Sequence, residues 1–160
     1  MKEPIKNEEK SGKEKLRKLE AKGRCLFHGS GMRLKTLEPR QAYTYPENNT
    51  TTRIPDGEPA VFASDVADAA IFMAVVSKPN VPKTLRSGYV NLKNKGFKFM
   101  VTQETMDQIK NAKGFVHVFN RNEFEQKGDT NVWTCQKIVK PIEIIEVSER
   151  DLPSVEIKDF

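Results

Sequence analysis

The sequence is poor in the residues that mark disulfide-stabilised or membrane-spanning proteins. Its 160 residues include two cysteines, Cys25 and Cys135, and both lie in apolar, strand-like segments. This context favours buried reduced thiols over a disulfide framework. No apolar run approaches the roughly 18–20 residues of a membrane span, and the N-terminus lacks the apolar segment of a signal peptide. The sequence therefore predicts a cytoplasmic protein that does not enter a membrane.

Common metal-binding and catalytic motifs are also missing. The sequence contains no GxGxxG, P-loop, CxxC or HExxH pattern. Its two histidines, His28 and His117, could hold a zinc ion only with carboxylates or the distant cysteines. Cys25 lies three residues before His28, and on a strand this spacing places the two side chains on opposite faces. We therefore expect neither a metal ion nor a Cys–His nucleophile pair.

The basic charge is concentrated at the start of the sequence. The net charge is +5, and residues 1–22 carry eight Lys or Arg against five Asp or Glu. The same segment has few apolar residues, so it buries little surface to offset the entropy of ordering the chain. We expect residues 1–22 to form an exposed helix or a disordered segment that the fold does not need. Residues 23–160 then form a single domain.

The remaining sequence predicts an α+β domain with a split, mainly antiparallel sheet and two or three helices. Apolar patterning predicts strands over 24–28, 60–63, 88–91, 97–101, 115–119, 132–139 and 142–147, and helices over 65–76 and 103–112. Thr102 is expected to cap the second helix and Gly114 to close it. Residues 41–59 are rich in Asn, Thr, Pro and Gly and predict a long loop.

Two predicted strands end abruptly in small or polar residues about thirty positions apart. The first, Cys25–Ser30, delivers His28 and Gly29 to its end, and glycine lets a ligand approach the main chain closely. The second leads through Ser64 and Asp65 into a helix, whose first N–H groups attract anions. Together the two ends predict a nucleotide pocket. A core histidine beside a glycine turn is the alternative interpretation.

These segments carry a resemblance to a known superfamily. Phe27-His28-Gly29-Ser30 resembles the strand-end signature of the ADP-ribosyltransferase superfamily, in its diphtheria-toxin and poly(ADP-ribose) polymerase branch. Val61-Phe62-Ala63-Ser64, with Phe72 after it, is similar to a second segment of that branch. The resemblance covers roughly residues 24–76. A weaker one over 131–141 is to the RNA 2′-phosphotransferase branch. Both branches share one split-sheet fold and use NAD.

The resemblance implies an NAD site and assigns roles to its residues. His28 would hydrogen-bond a ribose hydroxyl, since a neutral imidazole both donates and accepts. Gly29 would present its main chain to the nicotinamide carboxamide, and Phe72 would stack on the ring. Phe72 fits a core position equally well. The remaining expected cofactor-binding residues are Ser30, Arg40, Phe62 and Ser64, with Arg40 directed to the ligand phosphates.

The catalytic position departs from the family pattern. The family places a glutamate on a late strand, and in this sequence Gln136 lies near that place. A glutamine can hydrogen-bond a ribose hydroxyl but supplies no negative charge to a developing cation. Glu143 is a candidate carboxylate on the next strand. Val61 also replaces a tyrosine of the polymerase branch.

Transfer of ADP-ribose from NAD to a macromolecular acceptor, protein or nucleic acid, is the function that the resemblance implies. Two alternatives stay open. An RNA 2′-phosphotransferase-like activity would need arginines around the pocket, for which the candidates are Arg24, Arg33, Arg40 and Arg53. A non-catalytic nucleotide-binding module is favoured if no carboxylate reaches the ribose.

Overall fold

A computed structural model describes residues 11–46, 51–82, 87–92 and 96–159, and the side chains of 87–89 but not of 90–92. Its described part contains three α-helices: α1 (Gly12–Lys22), α2 (Ala67–Val75) and α3 (Gln103–Gln108). Single 3₁₀ turns span Arg121–Glu123 and Glu149–Asp151. Among the described helices, none has the length and apolar character needed to cross a membrane.

Eleven strands occur in the described residues. They are β1 (Cys25–Ser30), β2 (Tyr43–Thr44), β3 (Ile54–Pro55), β4 (Val61–Ser64), β5 (Ser87–Leu92), β6 (Gly96–Val101), β7 (Lys113–Asn120), β8 (Glu125–Gln126), β9 (Val132–Cys135), β10 (Glu143–Ser148) and β11 (Val155–Ile157). They form a six-stranded sheet in the order β10-β7-β1-β4-β9-β8, a three-stranded sheet β11-β6-β5 and the small hairpin β2-β3. All pairs are antiparallel except β11 with β6. The predicted α+β class with mainly antiparallel sheets is confirmed.

The six-stranded sheet separates two apolar clusters. On the face that carries the helices, called the helix face, Phe27 and Val118 pack with residues of α1, α2 and β6. On the opposite face, called the loop face, Leu26 and Phe119 pack with residues of the segments 34–37 and 124–139. This division follows from the two-residue period of a strand. Cys25 and Cys135 are buried and free, as the sequence predicted.

Helix α2 lies very close to the main sheet. A methyl group at Gly29 on β1 would overlap the carbonyl oxygen of Ala70, and one at Gly114 on β7 would overlap that of Ala74. Glycine on the strands and alanine on the helix therefore let the two main chains approach each other. Gly29 is thus required by packing against α2, and the expected approach of a ligand to its main chain stays a prediction.

Helix α1 belongs to the same core as the rest of the fold. Ser11 caps its first turn by accepting a hydrogen bond from the Glu14 N–H, and Gly23 ends it in the left-handed conformation. Leu16 is fully buried in the helix-face cluster. Leu16 and the partly buried Leu19 thus pack α1 onto the core, although residues 1–22 were expected to lie outside the domain. Residues 1–10 lie outside the described residues.

Several predicted elements differ in extent. Thr102 caps α3 as expected, but the helix ends at Gln108, and Asn111 then takes a left-handed conformation with a φ of 59°. Gly114 is part of β7 and closes no helix. The strand predicted over 132–139 stops at Cys135. Within 41–59, expected to be a loop, β2 and β3 form a short hairpin.

Replacing Leu16 by alanine should destabilise the fold. The substitution leaves a cavity between α1 and the sheet, and buried Leu→Ala changes cost about 2–5 kcal/mol. The free energy of unfolding, measured by urea titration, should fall by about that amount. The exposed neighbour Lys15→Ala is the matched control and should change it by less than about 0.5 kcal/mol. Equal stability of the Leu16→Ala and Lys15→Ala variants would show that α1 does not support the core.

Candidate functional site

The main sheet opens between β1 and β4 near His28. Strand β1 pairs with β7 along its six residues, from Cys25 to Ser30, whereas among the described residues it pairs with β4 only at Phe27 and Ser64. Past this point the imidazole of His28 connects the strands. Its Nδ1 lies 2.6 Å from the carbonyl oxygen of Phe62, so it carries the proton and donates it. Among the described residues, no protein group hydrogen-bonds the Nε2 of His28.

A second histidine supports the first from the neighbouring strand. His117 lies directly opposite His28 in the β1–β7 register, and the ring centroids are 6.1 Å apart. The N–H of Leu34 donates to Nε2 of His117 at 2.9 Å, so this nitrogen is unprotonated. Nδ1 of His117 then carries the proton and donates to the carbonyl oxygen of His28 at 3.3 Å. The side chain of His117 is fully buried, and in its neutral form both of its ring nitrogens take part in hydrogen bonds.

On the helix face, an apolar cavity of about 400 Å³ opens beside this strand gap. Its walls include the β1 segment Phe27–Gly29, the β4 segment Phe62–Ser64 and the α2 residues Ala70 and Met73. The second sheet closes it with Tyr89 and Phe97, whose ring centroids lie 5.5 Å apart. Apolar walls with aromatic rings suit a flat, weakly polar ring.

On the loop face lies a second cavity of about 410 Å³, whose walls mix polar and apolar side chains, and we call it the polar cavity because Glu38 and Arg40 line it. Its walls include Ser30, Glu38 and Arg40, together with His28 and Phe62, which also line the apolar cavity. The hydroxyl of Ser30 accepts a hydrogen bond from the Met32 N–H at 3.1 Å. The main chain of Arg40 exchanges two hydrogen bonds of 3.1 Å with Ala60, which fixes the start of the arginine side chain at the wall. Arg40 is itself exposed, so its charge faces both solvent and cavity.

Six of the predicted cofactor-binding residues line these two cavities. Gly29 and Ser64 line the apolar one, Ser30 and Arg40 the polar one, and His28 and Phe62 both. The hydroxyl of Ser64 accepts from the Val66 N–H at 3.0 Å. The structure thus brings together residues from both sequence segments.

Phe72 is the exception, and its expected stacking role is wrong. Its ring is 1% exposed and packs against Phe99 with centroids 4.9 Å apart, so it belongs to the core. Met73, the next residue of α2, points to the apolar cavity instead. Besides Phe27 and Phe62 of the main sheet, the aromatic residues that line this cavity are Tyr89 and Phe97, which the sequence did not indicate as site residues. The sequence feature that could have indicated them is the alternation of aromatic residues along β5 and β6, two strands that form a hairpin in which Tyr89 pairs with Phe99.

The two expected catalytic residues lie away from His28. Gln136 is exposed and lines a different cavity of about 600 Å³ beyond β9, together with Glu123 and Glu125. Glu143 is exposed on β10, an edge strand that β7 separates from β1. Neither residue lines the two cavities that share His28. The late-strand assignment therefore fails, because β9 ends before Gln136 and the chain then turns away from the strand gap.

Glu38 is the carboxylate that the structure places near His28. It follows Leu37, whose backbone pairs with Val139, and it lines the polar cavity with His28 and Arg40. Sequence analysis passed over it because it lies in a turn with no strand pattern. In the described residues, no group of three or more His, Cys, Asp or Glu is arranged to hold a metal ion.

The start of α2 is already capped by the protein itself. The carboxylate of Glu20 on α1 accepts a hydrogen bond from the Ala67 N–H at 2.5 Å. Asp65, expected to open the helix, instead accepts hydrogen bonds from the side chains of Asn131 at 2.8 Å and Trp133 at 3.3 Å. The N–H of Ala67 is therefore not free for an anionic ligand. Through these hydrogen bonds to Asp65, Asn131 and Trp133 connect the β9 region to the end of β4.

The candidate arginines do not converge on one pocket. Arg40 alone among the four lines either of the cavities that share His28. Arg53 stacks over the ring of Tyr43 at 4.8 Å. Arg24 lies at the opposite end of β1 from His28, next to Cys25. A pocket with several arginines, which the RNA 2′-phosphotransferase alternative requires, is not formed by these residues.

Burial keeps both histidines neutral. It lowers the pKa of His28 below 6.5, and the charge of Arg40 lowers it further, against the opposing effect of the hydrogen bond to Phe62. Burial also lowers the pKa of His117, with smaller contributions from His28 and Arg33 and against the opposing hydrogen bond to the His28 carbonyl. The neutral imidazoles keep the donor and acceptor pattern that joins β1, β4, β7 and Leu34.

The free energy of unfolding should depend on pH through these histidines. A histidine with a lower pKa in the folded state binds its proton more readily when unfolded, so its contribution is fully present above pH 6.5. That contribution is lost as the pH falls from 6.5 toward the lower folded pKa. Urea titrations at about pH 7.5, 6.5 and 5.5 should show decreasing stability. The decrease should be smaller in His117→Gln, and equal slopes would contradict the assignment.

No protein-family model, curated protein or solved structure matches this sequence. Two observations stand out: the strand gap bridged by His28, and the two cavities that meet there.

Proposed function

We propose that this protein binds NAD or a related dinucleotide across the gap between β1 and β4. The observation that carries the proposal is that His28 and Phe62 line both the apolar and the polar cavity. A dinucleotide has a flat heteroaromatic ring at one end and charged phosphates between two riboses. The ring matches the apolar cavity, and the phosphates match the arginine of the neighbouring cavity, which shares His28 and Phe62 with the first.

Each compartment offers the groups that such a ligand needs. The ring would enter the apolar cavity and stack against Tyr89 or Phe97, since aromatic pairs favour offset or edge contacts. The phosphates would lie near Arg40, because charge-assisted hydrogen bonds from guanidinium to phosphate are strong. Nε2 of His28 would accept a hydrogen bond from a ribose hydroxyl between them. Each cavity has a volume within the range of about 300–1,000 Å³ that is typical of small-molecule sites.

The resemblance to the ADP-ribosyltransferase superfamily supports the same ligand. Both signature segments, around His28 and around Phe62, come together at the strand gap. Two features support binding more strongly than transfer. Gln136 and Glu143 lie away from the two cavities, and Phe72 is buried.

Binding of NAD should raise the melting temperature of the wild-type protein. A ligand at one hundred times its Kd stabilises the native state by about 2.7 kcal/mol. His28→Ala should remove most of the shift at equal NAD concentration. Arg40→Ala should weaken affinity about tenfold or more, since a hydrogen bond to a charged group contributes about 1.5–3 kcal/mol. Titration calorimetry gives the Kd values.

Arg24→Ala is the matched control, because it removes a charge at the opposite end of β1. It should leave the affinity for NAD unchanged. Adenosine and nicotinamide, tested separately, should each bind more weakly than NAD. If millimolar NAD leaves the wild-type melting temperature and the calorimetric heat unchanged, the dinucleotide proposal is abandoned.

Transfer of ADP-ribose to a macromolecule is a second candidate, favoured by the position of Glu38. Cleavage breaks the bond between the ribose C1′ and the nicotinamide nitrogen, and the bonding electrons leave with nicotinamide. Positive charge then develops on the ribose, and a carboxylate such as that of Glu38 in the polar cavity would stabilise it.

Release of nicotinamide from NAD in the presence of cell extract tests this second candidate. Glu38→Gln should lower the rate about a hundredfold or more, as the loss of one preorganised electrostatic group commonly does, while leaving the Kd for NAD nearly unchanged. Glu143→Gln is the control and should not alter the rate. Binding without release would leave a non-catalytic nucleotide-binding module.

A further inference from the structure

A further cavity, of about 580 Å³, lies between α1, the start of α2 and β6. Its volume is within the range of about 300–1,000 Å³ that is typical of small-molecule sites. Its described walls combine charged and aromatic side chains: Lys13, Arg17, Asp68, Phe97 and Phe99. Phe97 also lines the apolar cavity, but the three charged residues line neither of the cavities that share His28. This cavity, which we call the α1 cavity, is therefore separate from the site proposed for NAD.

Two cations of α1 line the α1 cavity. Lys13 and Arg17 are four residues apart and so lie on the same face of the helix. The Lys13 ammonium donates to the Leu152 carbonyl at 3.3 Å, which holds it at the cavity wall and uses one of its three N–H groups. The side chain of Arg17 is 57% exposed, and its guanidinium carries five N–H donors. The cavity therefore offers hydrogen-bond donors to an anionic group.

Asp68 lies beside Arg17 without a hydrogen bond between them. Its Oδ2 is 3.7 Å from a terminal nitrogen of Arg17, which is too long for a hydrogen bond. Its Oδ1 is buried and has no hydrogen-bond partner among the described residues. A partly exposed ion pair of this length contributes little to stability. The described fold thus leaves the hydrogen-bonding capacity of this carboxylate unused, although its side chain is 31% exposed and within reach of a ligand.

The apolar part of the α1 cavity is formed by two aromatic rings of β6. The rings of Phe97 and Phe99 are nearly parallel, with centroids 5.9 Å apart and an angle of 22° between their planes. Phe99 is buried, whereas Phe97 is half-buried, so Phe97 is the ring that a ligand can cover. Val66 and Pro153 add further apolar wall. The cavity can therefore bury an apolar group next to its charged residues.

We propose that the α1 cavity binds a free α-amino acid with an apolar side chain. The carboxylate of the amino acid would accept hydrogen bonds from Arg17 and Lys13, its ammonium group would donate to Asp68, and its side chain would cover Phe97. An α-amino acid carries its two charges on neighbouring groups of one carbon. The opposite charges of Arg17 and Asp68 are likewise adjacent. Charge-assisted hydrogen bonds of this kind are the strong ones.

The charges of the cavity favour a zwitterion over a simple cation or anion. Among the described lining residues there are two positive charges, on Lys13 and Arg17, and one negative charge, on Asp68. A simple cation would be repelled by Lys13 and Arg17. A simple anion would leave Asp68 without a donor and would place a second negative charge near it. A zwitterion provides an opposite charge for each of the three residues.

Titration calorimetry of the full chain with L-phenylalanine and L-leucine, without NAD, tests the proposal. Both should bind saturably at millimolar concentrations. L-Phenylalanine amide, which lacks the carboxylate, and N-acetyl-L-phenylalanine, which lacks the ammonium charge, should each bind about tenfold or more weakly, because each loses a charge-assisted hydrogen bond. Glycine should also bind about tenfold or more weakly, since it has no apolar side chain to bury.

Three variants assign this binding to the α1 cavity. Arg17→Ala and Asp68→Ala should each weaken L-phenylalanine binding about tenfold or more. Lys15→Ala is the matched control, because Lys15 is exposed on the same helix and is not among the residues that line the cavity. It should bind as wild type.

The proposal is overturned if neither L-phenylalanine nor L-leucine binds saturably at millimolar concentrations. It is also overturned if the amide or the N-acetyl compound binds as tightly as L-phenylalanine, or if both Arg17→Ala and Asp68→Ala bind as wild type. The ligand comparisons use the wild-type protein, so they decide the question even if a variant is unstable. No titration contains NAD, and failure here would leave the dinucleotide proposal unaffected.

Discussion

The direct contact between the main chain of α2 and the strands β1 and β7 determines how the other parts of this fold are placed. Gly29 and Gly114 leave no room for a side chain beneath Ala70 and Ala74. Because the helix lies so low on the sheet, Met73 and Ala70 reach the apolar cavity while Phe72 turns into the core against β6. The cavity is thus a by-product of how tightly one helix packs, and a glycine was needed at that place whether or not a ligand binds.

A chain of hydrogen bonds on the loop face holds the strand gap in shape. It runs from the Leu34 N–H through His117 to the His28 carbonyl, while the His28 imidazole reaches the Phe62 carbonyl. Each histidine has a hydrogen-bond partner, and a buried polar group without one would lower the stability of the fold. The chain connects the turn that carries Glu38 and Arg40 to the strands that form both cavities. Binding groups on loops and on strands are therefore held by one polar network.

Local patterns in the sequence predicted seven of the strands, namely β1, β4, β5, β6, β7, β9 and β10, because a two-residue period is visible within a few positions. The same patterns correctly placed Thr102 at a helix start, whereas β1 continues for two residues beyond His28, the predicted end of the strand. The same patterns failed at residues whose burial is decided by contacts with parts of the chain that are distant in sequence. Leu16 lies on a helix of mostly charged residues, and its burial depends on α2 and β10. Phe72 and Met73 are neighbours on one helix, and only packing decides which of them faces the cavity.

Helix α1 is held in place by residues that are distant from it in sequence. The Lys13 N–H donates to the carboxylate of Asp151 at 3.1 Å across 138 positions of sequence, and the Lys13 ammonium donates to the Leu152 carbonyl. Strand β10, which α1 also covers, lies just before them in sequence. The core around Leu16 cannot close during synthesis until these late residues have left the ribosome. A fold with contacts of such long range is expected to fold slowly for its size, and to do so after the chain is complete through Leu152.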